Sequence, residues 1–152
     1  LPIYPPRGTR GWGPHRAAGY GLFADAYTQQ IDDCVLFFPI IETAEAIDHI
    51  DAIMDVDGVD GCIVGPVDLC IALGIPFQMD HPDYRAALAR VRAAAERTGK
   101  PGGLPVAGPL DDRAHVRQQV EQCGPLLLVG GDESYLMEAC RRAVANFAPL
   151  KD

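Results

Sequence analysis

Residues 38–69 read FPIIETAEAIDHIDAIMDVDGVDGCIVGPVDL, and this stretch decides the fold. It contains two short apolar runs, and each is followed by an acidic residue and a helix signal, with Glu42 after the first run and Asp68 after the second. Continuous apolar runs of this length are typical of parallel strands that are covered on both faces. The carboxyl ends of consecutive parallel strands open on the same mouth of an α/β barrel. We therefore expect Glu42 and Asp68 to lie close together.

The alternation of strand and helix continues on both sides of this stretch. We read residues 1–152 as a single domain, with a loop and a helix over 1–33 and four βα units over 34–147. Alternating units of this kind require parallel strands joined by right-handed crossovers. Four units fit either an open doubly wound sheet or half of an eight-stranded barrel. The predicted strands are 34–41, 61–64, 104–107 and 125–129, and the main predicted helices are 43–54, 66–73, 82–98, 110–123 and 132–147.

Composition narrows the classes of partner. The chain has 152 residues, 48% of them hydrophobic and 22% charged, which is typical of a soluble globular domain. A formal net charge of −8 argues against nucleic acid and anionic membranes as partners, because both attract clustered Lys and Arg. The five cysteines lack CxxC spacing and no signal peptide is visible, so we expect reduced thiols and a cytoplasmic location. Cys34 and Cys62 fall in or beside the predicted strands, where a thiol acts as a small hydrophobic group.

The acidic pair has two interpretations. Close carboxylates repel each other unless a cation lies between them or one is protonated, and oxygen ligands suit a hard divalent ion such as Mg²⁺, Mn²⁺ or Co²⁺. Alternatively, Glu42 and Asp68 cap the helices that follow them, since helix N-termini favour acids. The sequence Gly65-Pro66 opens a helix whose free amides, from Val67 and Asp68, could hold an anion. A substrate carboxylate on those amides, with its neighbouring carbonyl on the cation, would make a 2-keto-acid site.

Several motifs together resemble one known family. The sequence resembles the class II 2-keto-acid aldolases, which include 4-hydroxy-2-oxoheptanedioate aldolase, 2-keto-3-deoxy-rhamnonate aldolase and macrophomate synthase. The similarity extends from about residue 3 to about residue 147, with the motifs in the family's order. The motifs are YPPRGTRGWG (4–13), FPIIET (38–43), DGVDGCIVGPVDLCIALG (57–74), GKPGG (99–103) and LLLVGGD (126–132).

The resemblance implies a fold and a site. It implies a (β/α)8 TIM barrel of the phosphoenolpyruvate/pyruvate type, of which these residues form the last four βα units. It also implies a divalent metal ion (Mg²⁺, Mn²⁺ or Co²⁺) on Glu42 and Asp68, and a pyruvate carboxylate held by the backbone of the turn Gly65, Pro66, Val67 and Asp68. The family's proton-transferring His and keto-binding Arg would lie upstream of this chain. The family often has Gln where this chain has Ile40.

We therefore expect a metal-dependent carbon–carbon lyase of the EC 4.1.2 type, an aldolase. It would cleave or form 4-hydroxy-2-keto acids through a pyruvate enolate, with a pyruvate- or oxaloacetate-like 2-keto acid and an aldehyde as partners. Arg10 in the YPPRGTRGWG loop is a candidate for the mouth of the barrel. The resemblance also implies a homo-oligomer, a trimer or a hexamer.

Two alternatives remain open at this point. An acyl-CoA thioester lyase of the citryl- or malyl-CoA type shares the barrel and the acidic pair. A non-catalytic half-barrel that binds a partner through its open sheet edges is the other. Because four units make only half of the implied barrel, we expect a portion upstream of Leu1, or a second chain, that completes it.

Overall fold

The computed structural model describes residues 3–106, 112–124 and 126–147. Its strands form one parallel sheet in the order β1-β2-β3-β4, so each strand pairs with the next one along the chain. A doubly wound sheet reverses its strand order near the centre, whereas a barrel keeps chain order throughout. The order therefore favours the half-barrel over the open sheet. The strands are β1 (Ile40–Ile41), β2 (Cys62–Val64), β3 (Gly102–Val106) and β4 (Leu126–Val129).

Helices follow every strand, as the sequence predicts. The predicted bounds of 82–98 and 132–147 are confirmed for α5 and α7, and the predicted helix over 43–54 is divided in two at His49. Within the described ranges, no helix combines the length and the apolar character needed to cross a bilayer. The helices are α1 (Ala24–Cys34), α2 (Ala44–Asp48), α3 (Ile50–Asp55), α4 (Pro66–Ala72), α5 (Pro82–Thr98), α6 (Arg113–Cys123) and α7 (Asp132–Phe147), and a 3-10 helix, Arg16–Gly21, precedes α1.

The prediction of a strand over 34–41, covered on both faces, is wrong. Only Ile40–Ile41 is strand, and Cys34 is the exposed last residue of α1. Pro39 has no amide hydrogen to donate to a neighbouring strand, so the regular ladder begins after it. Leu36 is 68% exposed, because one face of this segment has no covering layer in the described chain. The apolar residues of this run are therefore buried on one face, as at Ile41, and exposed on the other, as at Leu36 and Ile40.

The hydrophobic core lies between one face of the sheet and the helices that cover it. Side chains of the strands, such as Ile41 and Val64, meet side chains of α3, α4 and α5 there. The opposite face of the sheet is open, since Ile40 is 59% exposed and Leu128 is 42% exposed. The best-buried core side chains are Ile41, Ile50, Met54, Leu69, Val64, Cys62 and Cys70.

The strand β3 begins earlier than its predicted start at residue 104, because Gly102 and Gly103 belong to it. A methyl group on Gly103 would collide with the backbone oxygen of Leu126 on β4. Glycine therefore allows the two strands to approach at this point, and the GKPGG motif ends α5 and begins β3 together. Gly99 ends α5 in the left-handed conformation, with φ of 67°.

Candidate functional site

Glu42 follows β1 directly and does not cap the next helix. The side-chain oxygen of Thr43 accepts a hydrogen bond from the amide of Ala46 at 3.1 Å, so Thr43 is the cap of α2. The interpretation of Glu42 as a helix cap is therefore wrong. The Glu42 carboxylate lies at the carboxyl end of a parallel strand. Within the described residues it neither caps a helix nor accepts a hydrogen bond.

Asp68 does not cap its helix either. Gly65 holds the capping position of α4, without a side-chain hydrogen bond, and Asp68 is the third residue of the helix. Its side chain is exposed. The interpretation of Asp68 as a cap is wrong for the same reason as for Glu42, since the position before the helix belongs to another residue. A carboxylate in the first turn still interacts favourably with the helix dipole.

The sheet brings the two acidic segments together. The parallel register pairs Ile41 with Val64, so Glu42 and Gly65 are the next residues along neighbouring strands. The amide of Gly65 donates to the carbonyl of Ile41 at 3.1 Å, which fixes the turn to the end of β1. A Cβ built on Gly65 would lie 2.9 Å from Oε2 of Glu42. The Glu42 carboxylate therefore lies against the turn that begins α4, and Asp68 follows three residues later.

The same turn presents free backbone donors. Pro66 is the first residue of α4 and has no amide hydrogen. Within residues 3–106, 112–124 and 126–147, the amides of Val67 and Asp68 have no hydrogen-bond acceptor. Unpaired amides in the first turn of a helix point out of its N-terminal end, where they favour the binding of an anion. The holding of a substrate carboxylate by Gly65, Pro66, Val67 and Asp68 stays a prediction.

The donor set fits a hard divalent cation with few protein ligands. Neither the Glu42 nor the Asp68 carboxylate has a hydrogen-bond partner in the part of the chain that the structure describes. That part also contains no group of three or more His, Cys, Asp or Glu side chains placed to hold a metal ion. Mg²⁺ is commonly held by one or two carboxylates, with water and substrate oxygens completing its octahedron. Glu42 and Asp68 would be those two carboxylates, and this assignment stays a prediction.

Arg10 ties the N-terminal loop to α1. Its guanidinium donates to the hydroxyl of Tyr27 at 2.9 Å and lies 5.0 Å from the ring centre of Tyr4, a cation–π distance. Trp12 packs edge-on against Tyr27, with ring centres 6.3 Å apart. The loop is therefore held to α1 by aromatic packing. The place of Arg10 at the barrel mouth stays a prediction.

Sequence reasoning missed the roles of Thr43 and Gly65. Thr43 had a readable signal, because Thr at the start of a predicted helix is a common cap residue. The contact between Gly65 and Glu42 had a weaker signal in the sequence. It appears only when the ends of the two predicted strands are aligned, so that the residue after each strand faces its neighbour.

Comparison with known proteins shows the family. The sequence pattern of the HpcH/HpaI aldolase/citrate lyase family matches residues 3–126. The chain belongs to this family. Similar proteins include the hydroxypyruvate/pyruvate aldolase of Sagittula stellata, which is 40% identical over 102 residues, 66% of this chain and 40% of the relative. They also include the 5-keto-4-deoxy-D-glucarate aldolase of Escherichia coli, 34% identical over 145 residues, which are 95% of this chain and 55% of the relative.

Solved structures of the HpcH/HpaI family share the fold. An HpcH/HpaI aldolase/citrate lyase family protein from Burkholderia cenocepacia is 36% identical and matches with a TM-score of 0.77, over 96% of this chain and 56% of the other. With the strand order, this likeness shows that the four βα units are those of a TIM-type barrel. The chain spans about half the length of the relatives it matches.

Proposed function

We propose that this chain carries the metal-binding and carboxylate-binding part of a metal-dependent 2-keto-acid aldolase. The reaction would cleave or form a 4-hydroxy-2-keto acid through a pyruvate enolate, with an aldehyde as the second partner. The observation that supports it is the meeting of Glu42 with the turn that carries Asp68, at the ends of neighbouring parallel strands. Membership of the HpcH/HpaI family and the names of the two relatives agree with a keto-acid lyase.

The residues divide the work by their chemistry. The unpaired amides of Val67 and Asp68 would hold and orient the substrate carboxylate, because they point out of the start of α4. Glu42 and Asp68 would hold the cation. Mg²⁺, Mn²⁺ or Co²⁺ bound there supplies a Lewis acid for the negative charge that develops on the keto oxygen. We propose that the proton-transfer groups lie outside these residues and that the working protein is a homo-oligomer.

The test is a pair of isosteric substitutions in the protein with its complete native chain. Glu42→Gln and Asp68→Asn should each weaken Mn²⁺ binding at least tenfold, measured by the loss of the free Mn²⁺ paramagnetic resonance signal. The same variants should lower the rate of pyruvate release from a 4-hydroxy-2-keto acid by a factor of about 100 or more, because a charged ligand is lost with no change of shape.

Matched controls are available on the same elements. Glu45→Gln in the first turn of α2 and Asp57→Asn in the turn before β2 change exposed acids by the same single atom. Both controls should bind Mn²⁺ as the unchanged protein does. Unaltered Mn²⁺ binding in Glu42→Gln and Asp68→Asn would refute the metal site.

A second candidate has its own support, because the family description includes citrate lyases as well as aldolases. An acyl-CoA thioester lyase would use the same cation and the same acidic pair. Turnover of malyl-CoA or citryl-CoA in preference to oxaloacetate and 4-hydroxy-2-keto acids would favour this candidate. If neither class of substrate is turned over by the complete protein, a non-catalytic role becomes the better account.

A further inference from the structure

Gly65 is a glycine for a reason other than backbone conformation. Its φ of −86° and ψ of 96° lie in the extended region that any residue adopts, so alanine would be unstrained there. Its surroundings are what a side chain would disturb. A Cβ would lie 2.9 Å from Oε2 of Glu42, 3.0 Å from Cβ of Glu42 and 3.4 Å from Cγ2 of Ile40. Two of these three contacts are with the same acidic side chain.

Gly65 also has no freedom to move away. Its amide donates to the carbonyl of Ile41 at 3.1 Å, and its carbonyl accepts from the amide of Leu69 at 2.9 Å. Displacing it would break the ladder to β1 on one side and the first turn of α4 on the other. The contact that can give way is Oε2 of Glu42, the far end of a flexible side chain that no hydrogen bond from the described residues holds in place. The contact with Cβ of Glu42, at 3.0 Å, is relieved only by a small shift at the end of β1.

Other close glycines in the sheet have different neighbours. At Gly61 and Gly103, a Cβ would collide first with backbone oxygens, those of Pro101 and Leu126. These two glycines let strands and turns approach one another, which is a structural role. At Gly65 the nearest atom belongs to the carboxylate of the proposed metal ligand. The closest contact of a side chain at position 65 would thus be with the site, although Ile40 of β1 lies 3.4 Å away.

We propose that Gly65 is a positioning residue that sets the place of the Glu42 carboxylate. Its bare Cα leaves the space in which Oε2 lies against the turn that begins α4, three residues before Asp68. Gly65→Ala would push the carboxylate out of that space and away from a cation shared with Asp68. This inference rests on the proposed function for its effect on metal binding, but the contact between Gly65 and Glu42 stands without it.

The first measurement is Mn²⁺ affinity in the protein with its complete native chain. Gly65→Ala should weaken Mn²⁺ binding about tenfold, whereas Gly102→Ala should leave it unchanged. Gly102 is the matched control, because it lies in the same sheet and a Cβ there would meet its nearest atoms at an ordinary 3.5 Å. If Gly65→Ala binds Mn²⁺ normally while Glu42→Gln does not, the positioning role is refuted and the proposed function survives.

The second measurement is a double-mutant cycle on stability, which needs no metal. In metal-free protein, Gly65→Ala should lower the midpoint of urea unfolding when Glu42 is present, and by clearly less in the Glu42→Ala background, which removes Oε2 and keeps only the contact with Cβ. An equal loss in both backgrounds would overturn the proposal, since the methyl group would then act on the backbone. If Gly65→Ala does not fold, folding of the double variant supports the proposal and its failure overturns it.

The two measurements also separate this inference from the function on which it rests. If Glu42→Gln leaves Mn²⁺ binding intact, the metal site fails, and the urea cycle alone then decides whether Gly65 controls the Glu42 side chain.

Discussion

At the scale of single residues, the thiols of Cys62 and Cys70 are buried and react slowly. Burial raises the pKa of Cys62 from its usual 9.0 to about 11. Burial also raises the pKa of Cys70, against a smaller opposing effect of a hydrogen bond with the backbone of Gln78. Both side chains belong to the core between the sheet and its helices. A neutral, buried thiol is a poor nucleophile, so these residues act as small hydrophobic groups.

This difference can be measured by thiol labelling. At pH 9, a thiol with a pKa near 11 has about 50-fold less thiolate than one at its usual value, so Cys62 should react at least that much more slowly than it does in urea. The exposed Cys34 is the comparison. Peptide mapping after timed alkylation separates the sites. Equal rates for Cys62 in folded and unfolded protein would contradict the assignment. Since the unfolded thiol ionises first, stability should also fall as the pH rises from 9 toward 11.

The residue types of the site and their places at the ends of consecutive strands were readable from the sequence, but the contacts between them were not. The motifs place Glu42 and Asp68 at the ends of consecutive strands, because strand, acid and helix follow one another in order. Whether an acid near a helix start is a cap depends on the residue at which the helix begins, which patterns do not resolve. Thr43 takes the cap beside Glu42, and Gly65 takes it before Asp68. The space at Gly65 depends on strand register, which only the folded sheet reveals.

At the scale of elements, prediction succeeded where local chemistry marks both ends. At the start of α5, Nδ1 of His81 accepts a hydrogen bond from the amide of Asp83 at 3.2 Å. At its end, Gly99 adopts the left-handed conformation. Prediction failed at β1, since a strand has no cap and its length depends on its neighbours. The apolar run before Ile40 carries no sign of which face will be covered.

One lysine joins two elements. Nζ of Lys100, after α5, donates to the carbonyl oxygens of Met54 at 2.6 Å and Val56 at 3.1 Å, at the C-terminal end of α3. A cation there satisfies the carbonyl of Met54, shares that of Val56 with the amide of Val59, and interacts favourably with the negative end of the helix dipole. Lys100→Met keeps most of the stem and should lower the free energy of unfolding by about 1–3 kcal/mol. Urea denaturation measures it, with the exposed Arg117→Met on α6 as control. Equal losses in both variants would show that these hydrogen bonds contribute nothing specific.

At the scale of the whole molecule, the order of the strands in the sheet identifies the fold as part of a barrel. Four parallel strands in chain order are half of the eight that close a barrel, and the chain spans about half the length of its matched relatives. The sequence predicts the alternation of units, yet alternation alone left a doubly wound sheet possible, because pairing order is a long-range property. The register between β1 and β2 then decides which residues share the mouth.

The open face of this half-barrel gives the last prediction. Ile40 and Leu128 expose 59% and 42% of their surface on the sheet, and no residue of α7 is buried in the described structure. Apolar surface on this scale favours association, as do unpaired strand edges. The 152-residue chain on its own should therefore bind the dye ANS and elute above its 16.4 kDa mass in size exclusion with light scattering.

The double variant Ile40→Thr with Leu128→Thr should lower ANS binding without unfolding. In contrast, Leu104→Thr, at a position only 6% exposed, should destabilise the sheet and raise ANS binding. A monodisperse monomer that leaves ANS dark would show that the face is covered from within the chain.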